Sequence, residues 1–146
     1  MDFKIKTFED LTTEELYEIL KLRNEVFVVE QNCFYQDCDD KDKKAHHLFC
    51  EDKGQIVSYL RIYGKNPAKD EFSIGRVAVK QDYRGKGLAR KMMNQAIEFI
   101  KNDLKTKTIS ISAQSYLIDF YETFGFTVTS KEYFDAGILH VDMMYK

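Results

Sequence analysis

The fold is decided by the stretch Val77-Ala78-Val79-Lys80-Gln81-Asp82-Tyr83-Arg84-Gly85-Lys86-Gly87-Leu88-Ala89-Arg90. A predicted strand ends here, two glycines and three cationic residues follow, and an amphipathic helix begins at once. The first N–H groups of a helix have no partner within it, and the helix dipole adds about half a positive charge there. Glycines let such a backbone approach an anion closely. The stretch therefore predicts a phosphate or diphosphate cradle.

Two known cradles do not fit these residues. A Walker loop needs Gly-x-x-x-x-Gly-Lys-Ser/Thr, and the sequence lacks it. The dinucleotide fingerprint Gly-x-Gly-x-x-Gly fails because Arg90 stands where the third glycine is required. The simplest alternative is a tight strand-to-helix turn whose lysines and arginines are only solvated.

Hydrophobic periodicity predicts a mixed order of strands and helices around this stretch. A capping box of Thr12 and Glu15 predicts the start of a first helix. The other predicted elements are strands over 3–8, 48–51, 55–63, 72–79, 108–112, 126–130 and 138–144, helices over 87–102 and 117–124, a hairpin turn at Asp52-Lys53-Gly54, and an irregular segment over 31–44. This order predicts an α/β (mixed α+β) fold with a mixed sheet covered by helices.

Length and charge limit the classes of protein. The 146 residues predict a single domain over 1–146, and 22 basic against 24 acidic residues give a net charge of −2. This balance argues against nonspecific binding to nucleic acid, which needs a basic surface. No run approaches the roughly 20 apolar residues of a membrane span. Three cysteines, an odd number, and the absence of a signal-peptide pattern lead us to expect a cytoplasmic protein.

The acidic segment after residue 36 does not fit a metal site. An EF-hand starting at Asp37 would place Asp42 and Leu48 where glycine and glutamate are needed. The cysteines lack a close Cys-x-x-Cys pair for zinc, and no further motif supports a thiol hydrolase. We therefore expect no metal, and we interpret this segment, which also carries three lysines, as a solvated loop.

Two motifs carry a resemblance to a known family. Arg84-x-x-Gly87-x-Ala89 resembles the acetyl-coenzyme A signature of the GNAT N-acetyltransferase superfamily, and Phe120-Tyr121-Glu122-Thr123-Phe124-Gly125-Phe126 resembles its later aromatic motif. Further segments are similar to the ElaA-like branch: residues 22–31, Asp37-x-Asp39, His47-Leu48, residues 74–77, residues 113–117 and Tyr133-x-x-x-Gly137-Ile138-x-His140. The resemblance covers nearly the whole chain.

The resemblance implies a fold and a cofactor. It implies a central sheet of about six or seven strands that splays apart, flanked by about four helices, with acetyl-coenzyme A in the opening. A bulge near Gly75 could start the splay; otherwise Gly75 is an incidental small residue. The implied cofactor-binding residues are Val77, Ala78, Val79, Arg84, Gly85, Lys86, Gly87, Leu88, Ala89, Arg90, Gln114 and Tyr121. Val77 and Val79 would bind through the main chain, and many members have asparagine where Gln114 stands.

The resemblance also implies direct transfer of an acetyl group to a primary amine, releasing coenzyme A. Tyr121 would be the general acid that protonates the leaving thiolate; its alternative role is aromatic packing. Candidate bases are Glu30, His47 and His140, of which Glu30 and His140 are kept as acceptor-pocket residues.

The sequence leaves the acceptor and the assembly open. The acceptor is a small molecule, a peptide or a protein lysine, and a homodimer is compatible with the sequence. Two other functions stay open as well: a noncatalytic module that binds or senses acyl-coenzyme A, and a phosphate-cradling enzyme that uses a nucleotide.

Overall fold

The computed structural model describes residues 1–106 and 108–145, and in them it shows one mixed sheet covered by helices. Its eight strands are β1 Asp2–Thr7, β2 His46–Asp52, β3 Gln55–Asn66, β4 Glu71–Val79, β5 Thr108–Gln114, β6 Phe126–Val128, β7 Tyr133–Asp135 and β8 Ile138–Tyr145. The α-helices are α1 Thr13–Arg23, α2 Leu88–Asn102 and α3 Ile118–Glu122, and a π-helical segment, Asn24–Glu30, continues α1. The sheet order is β1-β2-β3-β4-β5-β8-β6, with β7 paired to β8.

The predicted fold class is confirmed, with small corrections to the counts. The described residues hold eight strands and three α-helices, where about six or seven strands and about four helices were expected. The three-residue strand β7 was not predicted, because so short a segment shows no period. Among the described residues, no helix is both long and apolar enough to cross a membrane.

Local signals place the first helix and the first hairpin. The Thr12 hydroxyl accepts from the Glu15 N–H at 3.0 Å, and the Glu15 carboxylate accepts from the Thr12 N–H at 2.9 Å, so the capping box is confirmed. Between β2 and β3, Lys53 and Gly54 both have positive φ, +53° and +79°. This conformation at both central residues matches the right-handed twist of a two-residue hairpin.

Two cores form on opposite faces of the sheet. On one face α2 buries Met92, Met93 and Ala96 among Leu48 and Leu60 of the sheet. On the other face α1 buries Ile19 and Leu22 against Phe49 and Tyr59, the neighbours of those leucines along β2 and β3. Alternation of side chains along a strand therefore gives each helix its own apolar surface.

The sheet is splayed between β4 and β5. These two parallel strands pair over three positions only: Glu71 with Thr108, Phe72 with Ile109 and Ser73 with Ser110. Beyond Ser73 and Ser110 the described pairing stops, and β5 continues instead along β8 as far as Gln114. The second half of β4 therefore has a neighbour on its β3 side and an opening on its β5 side.

A β-bulge lies where this divergence begins. Arg61 of β3 pairs with Gly75, and Tyr59 pairs with Ala78. Between these two pairs β4 has one residue more than β3, which defines the bulge. Arg76 within the bulge has φ +54°, which is unfavourable for a residue with a Cβ atom. Gly75 itself has no such φ, and a Cβ atom there would meet Tyr63 at an ordinary 3.8 Å. The bulge near Gly75 is thus present, but Arg76 takes the strained conformation.

The acidic segment is not a solvated loop, and that interpretation is wrong. Its three aspartates form ion pairs with three arginines that come from α1, β3 and the bulge of β4. The pairs are Asp37 with Arg23 and Arg76, Asp39 with Arg61 and Arg76, and Asp42 with Arg23 and Arg61. The sequence did not reveal this network because three lysines share the segment with the aspartates, while the arginine partners lie far away along the chain.

Asp42 lies at the centre of the network. Its Oδ1 accepts from Arg23 Nη1 at 2.8 Å and from Arg61 Nη1 at 2.9 Å, and both arginines are at most 2% exposed. Burial alone would raise the pKa of Asp42, but the hydrogen bonds from Arg23 and Arg61 outweigh it and hold that pKa below its usual range. The buried guanidinium groups thus depend on this carboxylate for their charge balance.

His47 belongs to the same buried region. Its Nε2 lies 2.9 Å from the Asp42 carbonyl oxygen, which can only accept, so Nε2 carries the proton. Its Nδ1 then accepts from the Tyr59 hydroxyl at 2.6 Å. Burial lowers the pKa of His47, consistent with a neutral ring.

Replacing Asp42 by asparagine is expected to destabilise the fold by about 3 kcal/mol, because it leaves buried guanidinium charge unbalanced. Urea denaturation of purified protein measures the change. Asp40→Asn is the matched control: Asp40 is an exposed neighbour that pairs only with Lys43 among the described residues, so a loss below about 0.5 kcal/mol is expected. Equal losses in the two variants would contradict a structural role for the network.

The network also predicts sensitivity to acid. The pKa values of Asp39 and Asp42 are lowered in the folded state, against burial, by their hydrogen bonds to arginines. Their stabilisation is therefore complete above the unfolded pKa of about 4 and is lost as the pH falls through the lower folded values. Unfolding measured between pH 7 and pH 3 should show a steeper loss for the wild type than for Asp42→Asn. Parallel curves would contradict this prediction.

Candidate active site

A cleft of about 690 Å³ occupies the opening between β4 and β5. One wall is the second half of β4 with the turn that follows it, and the other is formed by β5, α3 and the β7–β8 hairpin. The π-helical segment closes one side through Phe27 and Glu30. The splay of the sheet therefore brings most of the residues singled out in the sequence to a single cavity.

The predicted cradle lies at one end of this cleft. Gly85 and Gly87 have φ +77° and +78°, and a Cβ atom at either position would meet open space. Gly87 is the N-cap of α2 and has no side chain to cap the helix, and the Lys91 N–H makes a helical bond to the Gly87 carbonyl at 3.1 Å. The N–H groups of residues 88–90 precede this bond and have no acceptor within the helix. The turn can therefore offer several N–H donors to an anion.

Two of the cationic residues of this turn face the cleft and one does not. Arg84 donates through Nη2 to Glu30 Oε2 at 2.7 Å and through Nε to the Val79 carbonyl at 2.9 Å. The Arg90 guanidinium lies 4.9 Å from the ring centre of Phe124. Lys86 lies over the ring of Tyr83 at 5.1 Å and is not part of the cleft wall.

The edge of β4 presents alternating side chains. Val77 and Val79 line the cleft and pack on the α2 side of the sheet. Ala78 is 2% exposed, packs on the α1 side and pairs with Tyr59 of β3, so its side chain does not reach the cleft. Gly85, Gly87, Leu88, Ala89 and Gln114 also line the cleft.

Tyr121 of α3 lies on the wall facing β4. It is 7% exposed, and its ring packs edge-on against Phe120 and Phe126. Among the described residues its hydroxyl makes no hydrogen bond, and burial raises its pKa to about 12. A phenol in this environment keeps its proton and can donate it as a hydrogen bond.

The three candidate bases lie in different surroundings. His140 lines the cleft, and its Nδ1 lies 2.7 Å from the Ile138 carbonyl, so Nδ1 carries the proton and Nε2 is the acceptor of the neutral ring. Glu30 also lines the cleft, but its carboxylate is paired with Arg84. His47 is fully buried in the ionic network and takes no part in the cleft wall.

Several cleft residues escaped the sequence analysis. Cys33 and Tyr35 follow the π-helical segment. Arg76 lies in the bulge of β4, and Asp135 lies in the β7–β8 hairpin. The Cys33 thiol lies 3.3 Å from the Ala136 carbonyl, which ties that segment to the hairpin. Arg76 belongs to the segment 74–77 that is similar to the ElaA-like branch, but a sequence does not say which face of a bulged strand a residue occupies. In the described part of the chain, no cluster of three or more His, Cys, Asp or Glu residues could hold a metal ion.

Comparison with known proteins agrees with this geometry. A family model for an acetyltransferase (GNAT) domain matches residues 7–146. Protein ElaA of Escherichia coli (strain K12) is 35% identical over 136 residues, which cover 92% of this chain and 89% of that protein. The crystal structure of Escherichia coli ElaA superposes with a TM-score of 0.93 at 31% identity, and an acyl-CoA N-acyltransferase from Pseudomonas aeruginosa superposes with 0.94 at 34%; both matches cover 100% of each chain.

Fold and cleft together define the class of the protein as an acyl-CoA-dependent enzyme of the N-acetyltransferase type. The chain belongs to the GNAT acetyltransferase family, in its ElaA-like branch. This assignment favours acyl transfer over the nucleotide-dependent alternative.

Proposed function

We propose that the protein transfers the acetyl group of acetyl-coenzyme A directly to a primary amine. The observation that carries the proposal is the unpaired edge of β4, which runs straight into the glycine cradle. A pantetheine chain can add to the edge as a further strand through Val77 and Val79, while the N–H groups at the start of α2 receive the diphosphate. The thioester then lies beside Tyr121 and Gln114.

The proton balance of the reaction defines what the cleft residues must do. The acceptor arrives mostly as an ammonium ion, since an alkyl amine has a pKa of about 10.4. It loses one proton before its nitrogen attacks the thioester carbonyl, and it loses a second as the C–S bond breaks. The sulfur takes up one proton, so one is released overall. His140 can accept the first proton at Nε2.

Tyr121 suits the sulfur end of this transfer. A thiol pKa is about 8.5, so outright proton transfer from a phenol of pKa about 12 would be uphill by about 5 kcal/mol. We therefore propose that the Tyr121 hydroxyl donates a hydrogen bond to the sulfur as negative charge develops there. When the Tyr121 proton passes to the sulfur, the second amine proton replaces it, so that no free phenolate is left. This role needs a protonated phenol, which burial provides.

A noncatalytic acyl-coenzyme A sensor would use the same cradle but would not need Tyr121. Coenzyme A release measured with a panel of amines (n-butylamine, spermidine and a lysine peptide) separates the two functions. Turnover with any amine supports the transferase, whereas tight acetyl-coenzyme A binding without turnover would favour the sensor.

Gly87→Glu is expected to weaken coenzyme A binding at least 100-fold, because a side chain and a negative charge would meet the diphosphate. Isothermal titration calorimetry measures the affinity. Gly54→Glu is the matched control: its φ of +79° and open surroundings are nearly those of Gly87, so both variants carry a similar strain of about 1–2 kcal/mol. Retained affinity in Gly87→Glu would show that the cradle lies elsewhere.

Tyr121→Phe is expected to lower kcat about 100-fold while the coenzyme A Kd changes less than twofold, as for an interaction made mainly in the transition state. Steady-state kinetics and calorimetry measure the two quantities. Tyr145→Phe is the control, because Tyr145 also packs edge-on against Phe126. A normal kcat in Tyr121→Phe would remove Tyr121 from the mechanism.

A further inference from the structure

An ion pair joins the cradle to the π-helical segment across the cleft. Arg84 Nη2 lies 2.7 Å from Glu30 Oε2, and both residues line the cleft. The pair is half-exposed, with 43% of the Arg84 side chain and 31% of the Glu30 side chain accessible. A contact of this kind contributes little to stability and can exchange partners readily.

Arg84 has a second anchor that would keep it near an incoming anion. Its Nε donates to the Val79 carbonyl at 2.9 Å, at the end of the strand edge that leads to the cradle. A guanidinium has five N–H donors in a fixed fork, and it binds phosphate oxygens as readily as carboxylates. These contacts engage only Nε and one Nη2 N–H, so further donors are available to a diphosphate, whose larger charge can draw the guanidinium away from the Glu30 carboxylate.

We propose that the cofactor diphosphate takes Arg84 from Glu30 and so frees Glu30 to bind the ammonium form of the acceptor. This inference rests on the proposed function for the arrival of a diphosphate at the cradle. Once its partner is withdrawn, Glu30 is a carboxylate on the cleft wall without a compensating charge, which is the complement of an ammonium ion. The acceptor site is then complete only after the cofactor has bound, and Glu30 is the residue that binds the acceptor ammonium.

A neighbouring ion pair provides a matched control. Glu25 of the same π-helical segment pairs with Lys80, the residue after β4, at 3.3 Å, with 38% and 27% of the two side chains exposed. Neither residue lines the cleft. Glu25→Gln therefore removes a similar contact between the same two elements without touching the proposed exchange.

The first test is a double-mutant cycle on coenzyme A affinity, measured by calorimetry. Glu30→Gln is expected to tighten coenzyme A binding about two- to fivefold, because Arg84 then has no ion pair to break when it binds the diphosphate. Arg84→Gln is expected to weaken binding, and in that background Glu30→Gln should have no effect beyond about 1.5-fold. Glu25→Gln should leave the affinity unchanged. Unchanged or weaker binding in Glu30→Gln, or the same gain with and without Arg84, would overturn the exchange.

The second test measures amine recognition at saturating acetyl-coenzyme A, with whichever amine of the panel turns over. Glu30→Gln should raise the amine KM about tenfold with a smaller change in kcat, and Glu25→Gln should change neither. An unchanged amine KM in Glu30→Gln would overturn the role of Glu30. The two proposals fail separately: loss of coenzyme A binding by the wild type, or retained binding in Gly87→Glu, contradicts the proposed function, whereas normal behaviour there with an inert Glu30→Gln contradicts only this inference.

Discussion

The structure depends on the point at which β4 and β5 stop pairing. Three residue pairs hold the two parallel strands together, and most of the β4 and β5 residues that line the cleft lie beyond the last of them. A fully paired β4 would have no free edge, and its final residues would lie against β5. Because the strand instead bends at a bulge, its second half keeps β3 as a neighbour and leaves its other edge to a ligand.

The bulge is held by an interaction that comes from far along the chain. Arg76 takes a positive φ, and its Nε donates to Asp37 at 2.7 Å while its Nη2 donates to the Asp37 carbonyl at 3.1 Å. Asp37 also pairs with the fully buried Arg23 of α1. The acidic segment therefore fixes both the end of α1 and the bend of β4, which explains why a polar stretch without periodicity has a defined conformation.

The sequence predicted the parts of the fold that depend on local chemistry. The capping box at Thr12, the Lys53-Gly54 turn and the apolar stripe of α2 each have a cause within a few residues. The bulge is visible in the spacing of apolar residues along β4. The side chains on the α2 side are those of Phe72, Ile74, Val77 and Val79, so the spacing of two residues becomes three between Ile74 and Val77. The ionic network could not be predicted in this way, because its partners lie 14 to 39 residues apart along the chain.

The same limit applies to the cleft. The glycine turn before α2 could be predicted because its glycines, cationic residues and helix start are contiguous, whereas the rest of the cleft combines the π-helical segment, the bulge and the β7–β8 hairpin. Glu30 stands 54 residues from Arg84, yet the bend of β4 and the end of α1 bring their charges to 2.7 Å. Under the proposed function, this contact joins the turn that would hold the diphosphate to a residue that would bind the acceptor, so the charge of one ligand could act on the site of the other without any change in the backbone. The splay that opens the sheet therefore also places the Arg84 guanidinium between the turn before α2 and the π-helical segment.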